Sequence, residues 1–297
     1  MNLWRRGRTR RRLPARDLAA VAQRAASGDA GQATGRLPFE LVSVESASPE
    51  PEVAVSPQQG TEAVESPVAA APGEGTGDTQ AAAAGPAEEV AAAEEEFLYR
   101  AAREATRDGD LARAVELYRD LLARDPRHIK ARNNLALLLD RAGDHDAALE
   151  ELNRCLGQDP NNTQVRVNRG AVLASVGRYQ EAERDLRAVV AADPTNAEAH
   201  FNLGLVISRK GVWAEAVPHL RRAVELDPGR AQAYYYLGEA LNHVDDLEGA
   251  LQAYQRAVEL SPDNPRAFYG LGIVLDRLNR PEEAAQMYRR SRELAGR

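Results

Sequence analysis

Proline returns every 34 residues along the C-terminal part of this chain, and this period constrains the fold more than any other feature. Aspartate precedes the first four of these prolines and Ser261 precedes the last. The periodic residues are Pro126, Pro160, Pro194, Pro228 and Pro262. A period of this length indicates a stack of small repeated units rather than one globular core. Such a stack offers an extended surface for binding.

Six units follow when each periodic proline is counted as position 32. They are residues 95–128, 129–162, 163–196, 197–230, 231–264 and an almost complete 265–297. Position 20 is alanine in every unit, and position 8 is alanine or glycine. These small residues predict that two antiparallel helices approach closely within each unit. Position 15 is glycine four times and then Asp245 and Asn279, residue types that tolerate the left-handed conformation at a helix end.

Larger apolar residues recur at positions 7, 11 and 24, so each unit is expected to form two amphipathic helices. The Asp-Pro step should end the second helix, because proline lacks an N–H and disfavours helical geometry in the residue before it.

Two further prolines fall inside predicted helices. Pro218 lies in a second helix and predicts a local bend or a late helix start. Pro281 falls at the start of the last helix, where proline is well tolerated.

This pattern resembles the tetratricopeptide repeat (TPR). The resemblance rests on Leu-Gly at positions 7 and 8, alanine at 20, an aromatic residue at 24 and proline at 32. The fifth unit shows it best, with Leu237-Gly238, Ala250, Tyr254 and Pro262. Two departures are Ala101-Ala102 in the first unit and Arg169 in place of leucine in the third. The resemblance implies an all-α, right-handed superhelical solenoid over residues 87–297 that binds peptides.

Composition separates two further segments from this array. Residues 1–40 form a basic arm with a net charge of +6, and residues 41–86 form an acidic linker rich in Ala, Pro and Glu. Both are expected to be largely disordered, since they hold too few apolar residues to build a core. The whole chain carries a net charge of −7, of which residues 41–96 contribute −12 and residues 97–297 only −1, so the repeats themselves are nearly neutral. A nearly neutral array argues against a general nucleic-acid-binding surface.

The arginines of residues 5–16 leave two interpretations open: contact with nucleic acid or anionic lipid, and a solvated arm. The acidic linker likewise either occupies the binding surface of the array or acts as a spacer. Self-association of the array is a further possibility that the sequence leaves open.

The resemblance places the first helix of each unit on a concave surface, with positions 2, 5, 6, 9, 12 and 13 facing the groove. Position 6 is asparagine in three successive units: Asn134, Asn168 and Asn202. An amide side chain both donates and accepts, so a row of amides can hold a peptide backbone of any sequence. The row resembles the asparagine ladder of O-linked N-acetylglucosamine transferases. The alternative is a surface residue repeated by duplication.

Aromatic and basic side chains complete the predicted peptide-binding groove. The aromatic candidates are Phe201, Tyr235, Tyr236 and Tyr269, for which ligand contact and packing over the next helix are both open. The basic candidates are Arg103, Lys130, Arg141, Arg209 and Arg277, which predict an acidic or C-terminal carboxylate ligand. The family's clamp for chaperone C-termini is matched only at Asn134, so the sequence does not predict that clamp.

The sequence shows no arrangement of residues typical of a catalytic site. The histidines lack metal-ligand spacing, and Cys155, the one cysteine, stands where other units place small core residues. We therefore expect neither an enzyme, nor a cofactor, nor a small-molecule substrate. A single cysteine fits a reducing compartment, which predicts a cytoplasmic protein, and the strong preference for Arg and Ala suggests a bacterial source.

The sequence thus predicts a non-catalytic adaptor or scaffold that binds an extended peptide segment of a partner protein in a concave groove. The alternative is a tethering protein, whose arginine-rich arm binds nucleic acid or an anionic membrane while the array self-associates.

Overall fold

The computed structural model describes residues 86–296, with side chains from Val90 onward. The predictions for residues 1–40, for the linker up to residue 85 and for the arginines of residues 5–16 lie outside the described residues. From Glu94 on, the described residues form one compact unit, and residues 86–93 belong to a second one.

Regular secondary structure in residues 86–296 is entirely α-helical, as the sequence predicts. The twelve helices of this part are α1 Pro86–Arg107, α2 Leu111–Arg124, α3 Ile129–Arg141, α4 His145–Gln158, α5 Thr163–Ser175, α6 Tyr179–Ala192, α7 Ala197–Arg209, α8 Trp213–Leu226, α9 Ala231–His243, α10 Leu247–Leu260, α11 Pro265–Arg277 and α12 Pro281–Ala295. They alternate as first and second helices of successive pairs. From α3 to α11 every first helix has 13 residues and every second helix has 14.

Each pair turns at position 15, where the backbone is left-handed. The four glycines there have φ between 79° and 82°, and Asp245 and Asn279 have φ of 65° and 60°. These values confirm the sequence prediction, since glycine, asparagine and aspartate adopt this conformation at least cost.

The aspartate before each of the first four periodic prolines ends a second helix and also orders the turn that follows. Asp125 Oδ1 accepts a hydrogen bond from Arg127 N at 2.8 Å, and Asp193 Oδ1 accepts one from Thr195 N at 3.0 Å. An asparagine then begins most of the following first helices, as Asn196 does by accepting from Ala199 N at 2.9 Å. The Asp-Pro step and the asparagine after it therefore end one helix and begin the next.

The core lies between the helices of each pair and between successive pairs. All six alanines at position 20 are fully buried: Ala114, Ala148, Ala182, Ala216, Ala250 and Ala284. Fully buried leucines at position 24, Leu152, Leu186 and Leu220, pack beside them. Cys155 is also fully buried, as predicted, and burial raises the pKa of its thiol to about 11.

Polar side chains at position 4 tie three first helices to the turn before them. Each donates to the carbonyl oxygen of the preceding periodic proline. The pairs are Arg132 with Pro126 at 2.6 Å, Arg166 with Pro160 at 2.7 Å and His200 with Pro194 at 3.2 Å. These bonds satisfy carbonyl groups that no helix can use.

Pro218 excludes one of the two alternatives predicted for it. Helix α8 begins at Trp213, which is position 17 of its unit and the same register as the other second helices. A late helix start is therefore excluded, because the proline lies within a helix that has already begun, and the local bend stays a prediction. Pro281 does occupy the first turn of α12.

Candidate functional site

Side chains meet between three neighbouring pairs of first helices, and we call the surface formed by the first helices the first-helix face. The contacts join position 5 of one first helix to position 6 of the next, 35 residues later. They are Tyr99 with Asn134, Asn133 with Asn168, and Phe201 with Tyr236. This register brings the residues predicted from the sequence together on one face.

Two of the three ladder asparagines are engaged within the protein. Asn134 donates from Nδ2 to Tyr118 Oη at 3.1 Å and to Tyr99 Oη at 3.4 Å. Asn168 is 6% exposed, donates to Asn133 Oδ1 at 2.8 Å and accepts from Gln164 Nε2 at 3.2 Å. These amides therefore bridge neighbouring helices.

Asn202 differs from the other two. It is only 5% exposed, yet its amide has no hydrogen-bond partner among the described residues. The 35-residue register places Val167, an apolar residue, where Asn134 has Tyr99 and Asn168 has Asn133. Its amide atoms are not among the fully buried polar atoms without a partner, so they still reach solvent, which marks Asn202 as the asparagine available to a ligand.

The aromatic candidates divide into buried and exposed residues. Phe201 and Tyr236 are 6% and 7% exposed, with ring centroids 5.9 Å apart, so for these two rings the structure shows packing over the neighbouring helix, one of the two alternatives that the sequence left open. Phe201 is also covered by the Arg230 guanidinium, 5.0 Å from its ring centroid. Tyr235 is half-buried, whereas Tyr269 is 56% exposed and lies beside Tyr288.

The five basic candidates are all exposed, but they differ in their contacts. Arg103, Lys130 and Arg141, on α1 and α3, form no ion pair with a described residue, and neither does Arg209 at the end of α7. Arg277 contacts the neighbouring unit, because it donates to the Asn242 carbonyl oxygen at 2.7 Å and forms an ion pair with Asp245. Three of the four unpaired cations of this group thus lie at the N-terminal end of the first-helix face.

Two carboxylates on the same face were not predicted. Burial raises the pKa of Glu198, at position 2 of α7, although Arg230 and a hydrogen bond from Gln164 oppose the rise. Burial also raises the pKa of Glu239, at position 9 of α9, and Arg209, His243 and Arg266 oppose it. The C-terminal half of the face therefore carries desolvated negative charge.

A cavity of about 210 Å³ opens between α7, the start of α8 and α9. Its lining includes Leu205, Ser208, Arg209, Trp213, Tyr236 and Glu239. Ser208 is 4% exposed, and its Oγ is buried without a hydrogen-bond partner among the described residues. The cavity thus combines apolar walls with an unsatisfied hydroxyl and a desolvated carboxylate. This cavity was not predicted from the sequence, since its residues come from two units.

Trp213 is held in place at the edge of this cavity. Its indole stacks on the His243 ring, with centroids 3.9 Å apart and an angle of 7° between the planes. Burial raises the pKa of the Tyr236 hydroxyl to about 12, and the positive charge of Arg209 opposes that rise. The Tyr236 ring packs against Phe201, so both aromatic walls are held by neighbouring side chains.

Within residues 90–296, no group of three or more His, Cys, Asp or Glu side chains could hold a metal ion. None of the described helices combines the length and apolarity needed to cross a bilayer.

Comparison with known proteins identifies the repeat. Two family models described as tetratricopeptide repeat match the chain, one at residues 168–229, 208–265 and 245–296, the other at residues 105–168. No curated protein matches the sequence.

Several solved structures share the architecture. MamA from Desulfovibrio magneticus RS-1 is 28% identical, with a TM-score of 0.52 over 56% of this chain and 94% of that chain. PilF of Pseudomonas aeruginosa is 20% identical, with a TM-score of 0.61 over 67% of this chain and 90% of that chain. YrrB, described as a TPR protein with an unusual peptide-binding site, is 24% identical, with a TM-score of 0.51 over 61% of this chain and 93% of that chain. The last two likenesses show the fold alone.

The family models together span residues 105–296, and the helix pairs agree with the likeness to these solved structures. This type of repeat typically serves as a non-catalytic interaction module. The chain belongs to the tetratricopeptide repeat family and is a scaffold for protein–protein interaction.

Proposed function

We propose that the array holds an extended segment of a partner protein along its first-helix face, without catalysing a reaction. The observation that carries this proposal is Asn202, whose nearly buried amide has no partner among the described residues. An amide can donate to a backbone carbonyl oxygen and accept from a backbone N–H of the same bound segment. The cell compartment we propose is the cytoplasm, on the basis of the single cysteine.

The surroundings of Asn202 support binding of an extended segment. Towards the C terminus of the array, Tyr269 offers a large aromatic surface that is 56% exposed. Towards the N terminus, Arg103, Lys130 and Arg141 offer cations without an ion-pair partner among the described residues. A segment lying along this face would therefore meet cations first, then a free amide, then an aromatic side chain. This order favours acidic residues at the end of the segment that meets α1 and α3.

A displayed library of random linear peptides, selected on the full chain, tests the proposal without knowledge of the partner. The affinities of selected peptides are then measured for the wild type and for Asn202→Ala. We expect Asn202→Ala to weaken binding by about tenfold, since it leaves backbone groups of the peptide unpaired.

Asn161→Ala is the matched control, because Asn161 is exposed in the turn between two units. It should leave the affinity unchanged. If the selected peptides bind both variants as tightly as the wild type, or if no peptide is selected, the proposal is wrong.

A further inference from the structure

The cavity between α7 and α9 contains a carboxylate whose charge is not matched by an ion pair. Glu239 lies half-buried in the lining, and no described cation lies within ion-pair distance of it. Burial raises the pKa of this carboxyl, which shows that the surroundings disfavour its charge. A cation placed in the cavity would remove that penalty.

Three cations act on Glu239 and oppose the rise in its pKa, but none of them forms an ion pair with it. Arg209 is exposed and also lines the cavity, His243 stacks on Trp213 with ring centroids 3.9 Å apart, and Arg266 is exposed on α11. The protein's own basic side chains therefore compensate the charge of Glu239 only in part.

A second observation points to a ligand. Ser208 Oγ is buried in the lining and has no hydrogen-bond partner among the described residues. A serine in a helix ordinarily bonds water or a carbonyl oxygen of the preceding turn, so an unsatisfied hydroxyl at this place needs an explanation. Because the oxygen is covered in this structure, a change of the Ser208 rotamer would be needed for its lone pairs to accept from an N–H group in the cavity.

The walls suit a side chain that carries its charge at the end of an apolar stem. Leu205 and the rings of Trp213 and Tyr236 present carbon surface, and the volume of about 210 Å³ is enough for one long side chain. Aromatic rings beside a carboxylate attract a cation through both the ring quadrupole and the opposite charge. An acidic side chain would instead face Glu239 and be repelled.

We propose that this cavity binds one lysine or arginine side chain of the partner segment, with Glu239 as its counter-charge. The proposal rests on the proposed function and adds a specificity that the sequence did not suggest. The stem packs between Leu205 and the two rings, and the cation reaches Glu239 and Ser208 Oγ. The array would thereby select a segment with acidic residues where it meets α1 and α3 and a basic residue where it meets α7 and α9.

Nuclear magnetic resonance of the full chain tests this directly, because the chain has two tryptophans, Trp4 and Trp213. The indole N–H signal of Trp213 is assigned with Trp4→Phe and followed while small probes are added. The probes are the N-acetyl methylamides of arginine, lysine, citrulline and glutamate. Citrulline has nearly the shape of arginine but no charge.

We expect the arginine or lysine probe to saturate the Trp213 signal at a concentration about tenfold lower than citrulline, and glutamate to be weaker still. Equal binding of arginine and citrulline would overturn the proposal. So would tighter binding of glutamate, which would mean that Arg209 selects the ligand. Absence of any shift with all four probes would overturn it as well.

Glu239→Gln should remove the preference for arginine over citrulline, whereas Glu248→Gln, at an exposed position of α10, should preserve it. The comparison of arginine with citrulline on the wild-type protein tests the proposal even if Glu239→Gln does not fold. Displayed peptides that depend on Asn202, combined with no charge preference at Trp213, would remove this inference and leave the proposed function standing. Saturation by the arginine probe without any selected peptide would show that the cavity binds a cation, while the proposed peptide binding would be wrong.

Discussion

Gly204 on α7 lies so close to Leu220 on α8 that a Cβ atom on the glycine would stand 2.6 Å from Leu220 Cγ. The same relationship joins position 8 to position 24 in three other units. The pairs are Gly170 with Leu186 at 2.8 Å, Gly238 with Tyr254 at 2.9 Å and Gly272 with Tyr288 at 2.5 Å. Glycine at position 8 thus makes room for the side chain at position 24 of its own unit.

Gly204→Ala should therefore lower the free energy of unfolding by about 1–3 kcal/mol, because the added methyl group must displace Leu220. Gly157→Ala is the matched control, since Gly157 is exposed within α4 and a Cβ there meets nothing within 4 Å. That change should raise the free energy of unfolding by about 0.5–1 kcal/mol, the helix preference of alanine over glycine. Urea unfolding measures both, and effects of the same sign would contradict this packing.

Arg169 stands where the family pattern expects leucine, and the structure gives the reason. Its guanidinium donates to both oxygens of Asp185 at 2.7 Å and to Asn153 at 2.8 Å. Asp185 is 4% exposed and also lies 3.8 Å from Arg166. An ion pair between α5 and α6 has replaced an apolar contact.

Arg169→Leu alone should cost about 3 kcal/mol, because it leaves the buried Asp185 carboxylate short of its principal partner. The double change Arg169→Leu with Asp185→Leu should recover most of that loss, since two apolar residues need no pairing. Urea unfolding of the two single variants and the double variant gives the coupling. Additive losses would show that the pair does not act as a unit.

Sequence reasoning succeeded where a single unit determines the structure. The left-handed residues at position 15 and the buried alanines at position 20 were predicted, because backbone sterics and helix packing act within one unit. The helix stop at each Asp-Pro step is equally local. Family resemblance then supplied the architecture.

Sequence reasoning failed where the answer depends on the neighbouring unit. Asn134 and Asn202 occupy the same position, yet one meets Tyr99 and the other has Val167 in register, 35 residues earlier. Phe201 is buried because Tyr236 of the next unit lies against it. The cavity likewise combines residues of two units, so the pattern within one unit could not reveal it.

The histidines of the fourth unit predict a dependence of stability on pH. His200 Nε2 lies 3.2 Å from the Pro194 carbonyl oxygen, which can only accept, so Nε2 carries the hydrogen. Nδ1 of neutral His200 then accepts from His219 Nδ1 at 3.3 Å. Burial lowers the pKa of both imidazoles, and the pKa of His219 is lowered further by His200.

Because these pKa values are lower in the folded protein than the value of about 6.5 in an unfolded chain, the unfolded state binds protons first as the pH falls. The stability that the pair contributes is therefore present above about pH 6.5 and is lost below it. Urea unfolding at about pH 7.5 and about pH 5.5 should show the wild type losing more stability on acidification than His219→Phe. An equal loss in both proteins would contradict the shared hydrogen bond.

The asparagines of the first-helix face provide a last test, in which stability alone separates structural amides from one reserved for a ligand. Asn134→Ala removes hydrogen bonds to Tyr118 and Tyr99, so it should lower the free energy of unfolding by about 1 kcal/mol. Asn202→Ala removes no hydrogen bond to a described residue, so it should change the free energy of unfolding by less than about 0.5 kcal/mol. Urea unfolding of both variants measures the difference. Were Asn202→Ala as costly as Asn134→Ala, its amide would serve the fold, and the proposed function would lose the observation on which it depends.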